Sequence, residues 1–124
     1  MGTFDVVLTN GVFHHIPPSQ RAAAFAVIRN ALQPCGIFGF FENNPWNPGT
    51  RYIMSRVAFD RDAITITPRE AKRLLVVNGL KPQRFASLFY FPAALALLRP
   101  LEPYMAGLPL GGQYLFLCQK ANAL

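Results

Sequence analysis

The chain has 124 residues, a mass of 13.8 kDa and 52% apolar against 15% charged residues, a composition that excludes disorder and calls for one domain with a substantial core. Its net charge of +6 and pI near 9.9 raise the question of acidic partners. The basic residues are scattered from Arg21 to Lys120 without a dense stripe, so no nucleic-acid surface is expected. Cys35 and Cys118 are isolated and no secretory signal is present, which reads as reduced thiols in a cytoplasmic protein. The most apolar run, Phe85 to Leu98, is interrupted by Pro92 and falls short of the roughly 20 residues a membrane span needs.

Phe4, Val6, Val7 and Leu8 form an apolar run of the kind found in a strand covered on both faces. Thr9, Asn10 and Gly11 turn the chain, and His14 and His15 follow in the turn. A helix is predicted from Pro18 or Ser19, with Ser19 as its cap, to about Leu32. Its packed face comprises Ala22, Phe25, Ile28 and Leu32, with Gln20, Arg21 and Arg29 pointing away. Pro34 and Gly36 end it, and Ile37 to Phe41 is a second strand, parallel to the first through the usual right-handed crossover.

Parallel neighbours place their carboxyl ends at one edge, where open α/β sheets bind ligands. Residues 10–15 and 42–51 should therefore flank one site. The second segment gathers Asn43, Asn44, Asn47, the only Trp and Arg51 in a loop stiffened by Pro45 and Pro48. Of these, Asn44, Trp46, Asn47 and Arg51 are the candidate substrate-binding residues. Trp46 either stacks on a ligand or pins its loop to the core, and Arg51 either pairs with an acidic acceptor or is a surface charge.

Residues 51–63 form a short helix or irregular lid, in which Asp60, Arg61 and Asp62 read as a solvated acidic turn rather than a metal-binding pair. Thr67-Pro68-Arg69-Glu70 is a capping box that starts a helix running to about Val77 and stopping at Asn78-Gly79. Leu80 to Phe91 is a strand, Pro92 to Tyr104 a broken helical segment, and Gln113 to Gln119 a last strand. His14 titrates near neutrality and is the candidate base toward an acceptor hydroxyl. Adjacent side chains do not share a face on a strand or a helix, so no joint metal site of His14 and His15 is expected.

Phe4-Asp5-Val6-Val7 leading to Gly11-Val12-Phe13-His14-His15-Ile16, followed by Leu32-Gln33-Pro34-Cys35-Gly36 before a strand, resembles the class I S-adenosylmethionine-dependent methyltransferases. The resemblance covers nearly the whole chain as the C-terminal portion of that fold, a single α/β domain over residues 1–124. It implies a partial Rossmann-like sheet of the last four strands, two parallel plus an antiparallel C-terminal hairpin, with covering helices. The final strand then lies antiparallel between its two predecessors.

The resemblance also implies S-adenosylmethionine as cofactor, a small-molecule methyl acceptor, and a loop of Asn10, Gly11 and Val12 facing the cofactor, with His15 capping or packing that loop. Two departures accompany it. The turn reads Pro-Cys-Gly where the family commonly has Pro-Gly-Gly, and only Met1, Gly2 and Thr3 stand where a Gly-rich cofactor loop would precede the first strand. A truncated methyltransferase is thus expected, with the edge of strand 4–8 open to a second copy or a partner chain. The alternative is a non-catalytic, methyltransferase-derived module that binds a protein partner.

Overall fold

A computed structural model describes residues 4–60, 63–88 and 93–121. Four strands, β1 (Phe4–Asn10), β2 (Leu32–Asn43), β3 (Leu80–Leu88) and β4 (Gln113–Lys120), form one sheet in the order β1-β2-β4-β3. The β1–β2 pair is parallel, and β4 runs antiparallel to both β2 and β3. The last strand thus lies between its two predecessors, as the resemblance implied. Helix α1 (Pro18–Ala31) makes the crossover between β1 and β2, α2 (Pro48–Arg56) follows β2, α3 (Pro68–Val77) precedes β3, and a short α4 (Glu102–Met105) precedes β4. Among the described residues no helix is long and apolar enough to cross a membrane.

Alternation along the strands builds the core on one face. Phe38 and Phe40 of β2 and Tyr114, Phe116 and Cys118 of β4 are buried there, and Phe25 of α1 with Ala71 and Leu75 of α3 close over them. Phe13 stacks on Phe25 at 4.2 Å between ring centroids, so the turn after β1 is fastened to the same cluster. Burial pushes the Cys118 thiol up to about 12, which makes it an inert core residue, whereas Cys35 is exposed. Tyr114 donates its hydroxyl proton to the Ile66 carbonyl at 2.6 Å, and burial raises its pKa well above the usual phenol value.

The opposite face differs from expectation. Val6 and Leu8 pair with Ile37 and Gly39 on that face and are 55% and 63% exposed, and Phe4 is 57% exposed. The strand is therefore not covered on both faces: α1 and α3, the described helices with appreciable contact to the strands, both lie over the Phe38–Phe40 side. Of the predicted face, Phe25 and Leu32 are buried and Ile28 packs against the core, while Ala22 is exposed and Arg21 and, in part, Ala24 join the buried side. Arg21 is buried because its guanidinium donates to two carbonyls, Ile16 at 3.0 Å and Ile64 at 2.6 Å. Pro17 takes the cap position in place of Ser19, and no side chain caps this helix.

The capping box is as expected, Thr67 accepting from the Glu70 amide at 3.1 Å, and Gly79 stops α3 in a left-handed conformation. The strand predicted from Leu80 to Phe91 follows α3 as β3 and is seen to Leu88; residues 89–91 lie outside the described residues.

The Pro-Cys-Gly turn is strained. Cys35 has φ +65, the region a β-carbon disfavours, and the β1–β2 register slips beside it, between Phe4 and Val6. A β-carbon on Gly36 would sit 2.8 Å from the Gln33 carbonyl oxygen. Substitutions here have opposite signs. Cys35→Gly relieves roughly 1–2 kcal/mol of strain against 0.5–1 of added unfolded-state entropy, so equilibrium urea denaturation should show a gain of about 0.5–1 kcal/mol. Gly36→Ala should lose about 2 kcal/mol, because the obstructing atom is backbone and cannot swing away.

Candidate functional site

The C-terminal ends of β1 and β2 are adjacent, with Asn10 opposite Phe41 and the Gly11 amide donating to the Phe41 carbonyl at 3.1 Å. Gly11 adopts φ +66, which turns the chain sharply and leaves Asn10 and Val12 exposed at the edge. A single 3-10 turn, Phe13–His15, then carries both histidines.

Glu42, the first polar residue after the apolar run of β2, lies on the core face beside this turn and is fully buried. Its carboxylate accepts from the Phe13 amide at 3.1 Å, from the Asn43 amide at 3.2 Å and from His14 Nδ1. These contacts assign the proton to Nδ1 of His14, because Glu42 offers only acceptors to it. The other ring nitrogen, Nε2, faces Asp60 Oδ1 at 3.4 Å, and His15 Nε2 approaches the same oxygen at 3.3 Å.

The two imidazoles lie 4.1 Å apart between centroids. The rule that neighbouring side chains diverge therefore fails in this turn, where the tight 3-10 winding and a shared carboxylate bring them together. Asp60, expected in a solvated turn, is only 14% exposed at its side chain; residues 61 and 62 lie outside the described residues. Sequence reasoning treated Glu42 only as the start of a loop. The signal that could have found it is an acidic residue on the inward phase of an otherwise apolar strand.

The four candidates of the second segment separate. Asn44 is fully buried and donates to the Pro109 and Gly111 carbonyls at 2.8 and 2.9 Å, while its oxygen accepts from the Trp46 amide. Asn47 donates to the Leu110 carbonyl at 3.0 Å and its oxygen caps α2 through the Thr50 amide. Both amides thus tie residues 109–111 to the loop, Asn44 from a fully buried position and Asn47 from a half-buried one. Trp46 is 43% exposed, so it does not pin its loop by burial in the core. Arg51 is exposed and lines a cleft of about 450 Å³ with Met54, Arg56, Val57 and Asp60.

No protein-family model and no curated protein sequence matches this chain. Its structure does match. A SAM-dependent methyltransferase and possible histamine N-methyltransferase from Thermotoga maritima superposes with a TM-score of 0.70 at 15% identity, over 96% of this chain and 56% of that one. A SAM-dependent methyltransferase from Archaeoglobus fulgidus gives 0.65 at 13% identity, over 94% and 59%. The 1,6-didemethyltoxoflavin-N1-methyltransferase of Burkholderia thailandensis, solved with bound 1,6-didemethyltoxoflavin and S-adenosylhomocysteine, gives 0.61 at 20% identity, over 96% and 44%. The chain therefore has the class I SAM-dependent methyltransferase fold, and it spans less than two thirds of the length of these proteins.

Burial alone would lower the basicity of His14, but the hydrogen bond and charge of Glu42, joined by Asp60, outweigh it and hold the pKa above its ordinary 6.5. A raised folded value gives stability that is fully present below the unfolded pKa and is lost as pH rises through the folded one. The midpoint of urea denaturation, measured in buffer containing a chelator, should thus fall from about pH 6 to pH 9 in the wild-type protein. His14→Gln should flatten that fall and cost about 2–3 kcal/mol at the acid end, because it leaves the buried carboxylate without its cation.

Proposed function

We propose that this chain serves methyl transfer from S-adenosylmethionine to a small-molecule acceptor. The observation that carries this reading is the sheet order, with an antiparallel β4 inserted between β2 and β3, together with a ligand edge where the Gly11 turn and the end of β2 adjoin. Asn10 and Val12 are exposed on either side of a residue whose missing β-carbon would otherwise crowd His14 Cε1 at 3.3 Å. That shallow, side-chain-poor turn fits a ligand lying along the backbone. Asn10, Gly11 and Val12 would hold the cofactor's methionine and ribose portions, with His15 packing the same loop.

The cofactor supplies a methyl group on a sulfonium that is its own leaving group, so the protein's work is alignment, water exclusion and management of an acceptor proton. Nε2 of His14 is the atom that would take that proton, with Glu42 behind Nδ1 stabilising the imidazolium. The carboxylates that raise its pKa make His14 a stronger base and shift its neutral form to higher pH. Exposed Trp46 offers a flat stacking surface for an acceptor ring, and Arg51 in the cleft offers a cation to an acidic one.

The open edge belongs to the same reading. β1 is the terminal strand of the described sheet, and a groove of about 340 Å³ between it and α1 is lined, among the described residues, by Phe4, Val6, Val7, Val27, Ile28 and Ala31. We propose that a second copy of the chain covers this surface, since a flat apolar edge with unpaired backbone groups is a template for another strand.

Two measurements test these proposals. Isothermal titration with S-adenosylhomocysteine should show one site per chain, weakened at least about tenfold in Gly11→Val, where both backbone strain and a side chain oppose the turn. Absence of heat at millimolar ligand would sink the cofactor reading. Sedimentation equilibrium at tens of micromolar should give a mass above 13.8 kDa, and a clean monomer at that mass would rule out self-association.

A further inference from the structure

We propose that His14, His15 and Asp60 form a binding site for one divalent transition-metal ion of the zinc type. Two imidazole nitrogens and a carboxylate oxygen are the donor set such ions prefer, and three protein ligands with a fourth position open is the arrangement of reactive rather than purely structural zinc sites. The three ligand atoms lie within 4.8 Å of one another. In a four-coordinate ion with bonds of about 2.0–2.2 Å, ligand atoms lie about 3.3–3.6 Å apart. The observed separations of Asp60 Oδ1 from the two Nε2 atoms, 3.4 and 3.3 Å, fall at that spacing.

The surroundings favour the same assignment. Glu42 engages Nδ1 of His14, so Nε2 presents its lone pair toward Asp60, the tautomer a histidine adopts as a ligand when a carboxylate lies behind it. An imidazole lone pair and a carboxylate oxygen facing each other repel unless a positive centre lies between them. A proton on Nε2 or a metal cation supplies that centre, and the cation at the same time joins the turn after β1 to the segment after α2. Access is available, since His15 is exposed and Asp60 borders the 450 Å³ cleft, from which a water or an acceptor hydroxyl can reach the fourth position. An ion there occupies the same Nε2 lone pair that a base would use, so the loaded and ion-free protein differ in what His14 can do.

Binding is read without any enzymatic assay, and so independently of the methyl-transfer reading. In a Cys35→Ser background, which removes the one exposed thiol, Zn2+ titrated against a chromophoric chelator should bind one ion per chain. His15→Gln and Asp60→Asn should each weaken it at least about tenfold, the scale on which loss of a coordinating contact acts. No binding by the parent protein, or equal binding by folded variants, overturns the site. Should either variant fail to fold, Co2+ bound to the parent protein decides. The strong visible absorption of a four-coordinate ion supports the site, and the weak spectrum of the hydrated ion refutes it.

Discussion

A carboxylate buried at the end of an apolar strand governs the geometry of this molecule. Removing Glu42 from water costs several kcal/mol unless hydrogen bonds and an opposite charge replace the lost hydration. Most of the replacement comes from the turn after β1, which supplies the Phe13 amide and His14 Nδ1, beside the Asn43 amide of β2 itself. The turn must then sit against the end of β2 in one orientation, with Phe13 driven into the aromatic cluster and His14 out of solvent. His15 and Asp60 take their places from this arrangement, so the polar chemistry of the edge descends from one buried group.

The sheet shows a second constraint, its one-sidedness. Every described helix that packs on the strands with appreciable contact does so over Phe38, Phe40, Tyr114 and Phe116, and the reverse face presents Val6 and Leu8 to solvent while Ile37, Phe41, Leu115 and Leu117 are only half-buried. Doubly wound sheets are covered on both faces because their strands read as continuous apolar runs. The composition of β1 and β2 is that of such strands, and their burial is that of a sheet with one layer of helices. The mismatch between what these residues are suited to and what surrounds them is the physical reason to look for a covering surface.

Most of the fold was legible in the sequence because it rests on local signals: the apolar runs, the capping box at Thr67, Gly79 after α3, and a crossover whose handedness is nearly fixed. The insertion of β4 between β2 and β3 came from family resemblance and not from any local pattern. What escaped was long-range. Arg21 looks like a surface residue until two carbonyls, one of them 43 positions away at Ile64, are found at its guanidinium. Asn44 and Asn47 look like loop amides, and nothing local shows that they also hold the carbonyls of residues 109–111. In each case a polar side chain of common type was recruited to satisfy backbone groups that only the folded chain brings near, and no spacing rule records that.

The site itself was half legible for a reason that can be stated geometrically. Strand polarity alone placed residues 10–15 and 42–51 at one edge, and that placement holds. Which of those side chains meet depends on the winding of three residues, Phe13 to His15. An extended or α-helical turn would separate the imidazoles, and the 3-10 turn, shortened by Gly11 at φ +66 and clamped by Glu42, superposes them. The conformation of that turn is chosen by the buried carboxylate 28 residues further along the chain, which is why the pairing of His14 with His15 could not be read where the two residues stand.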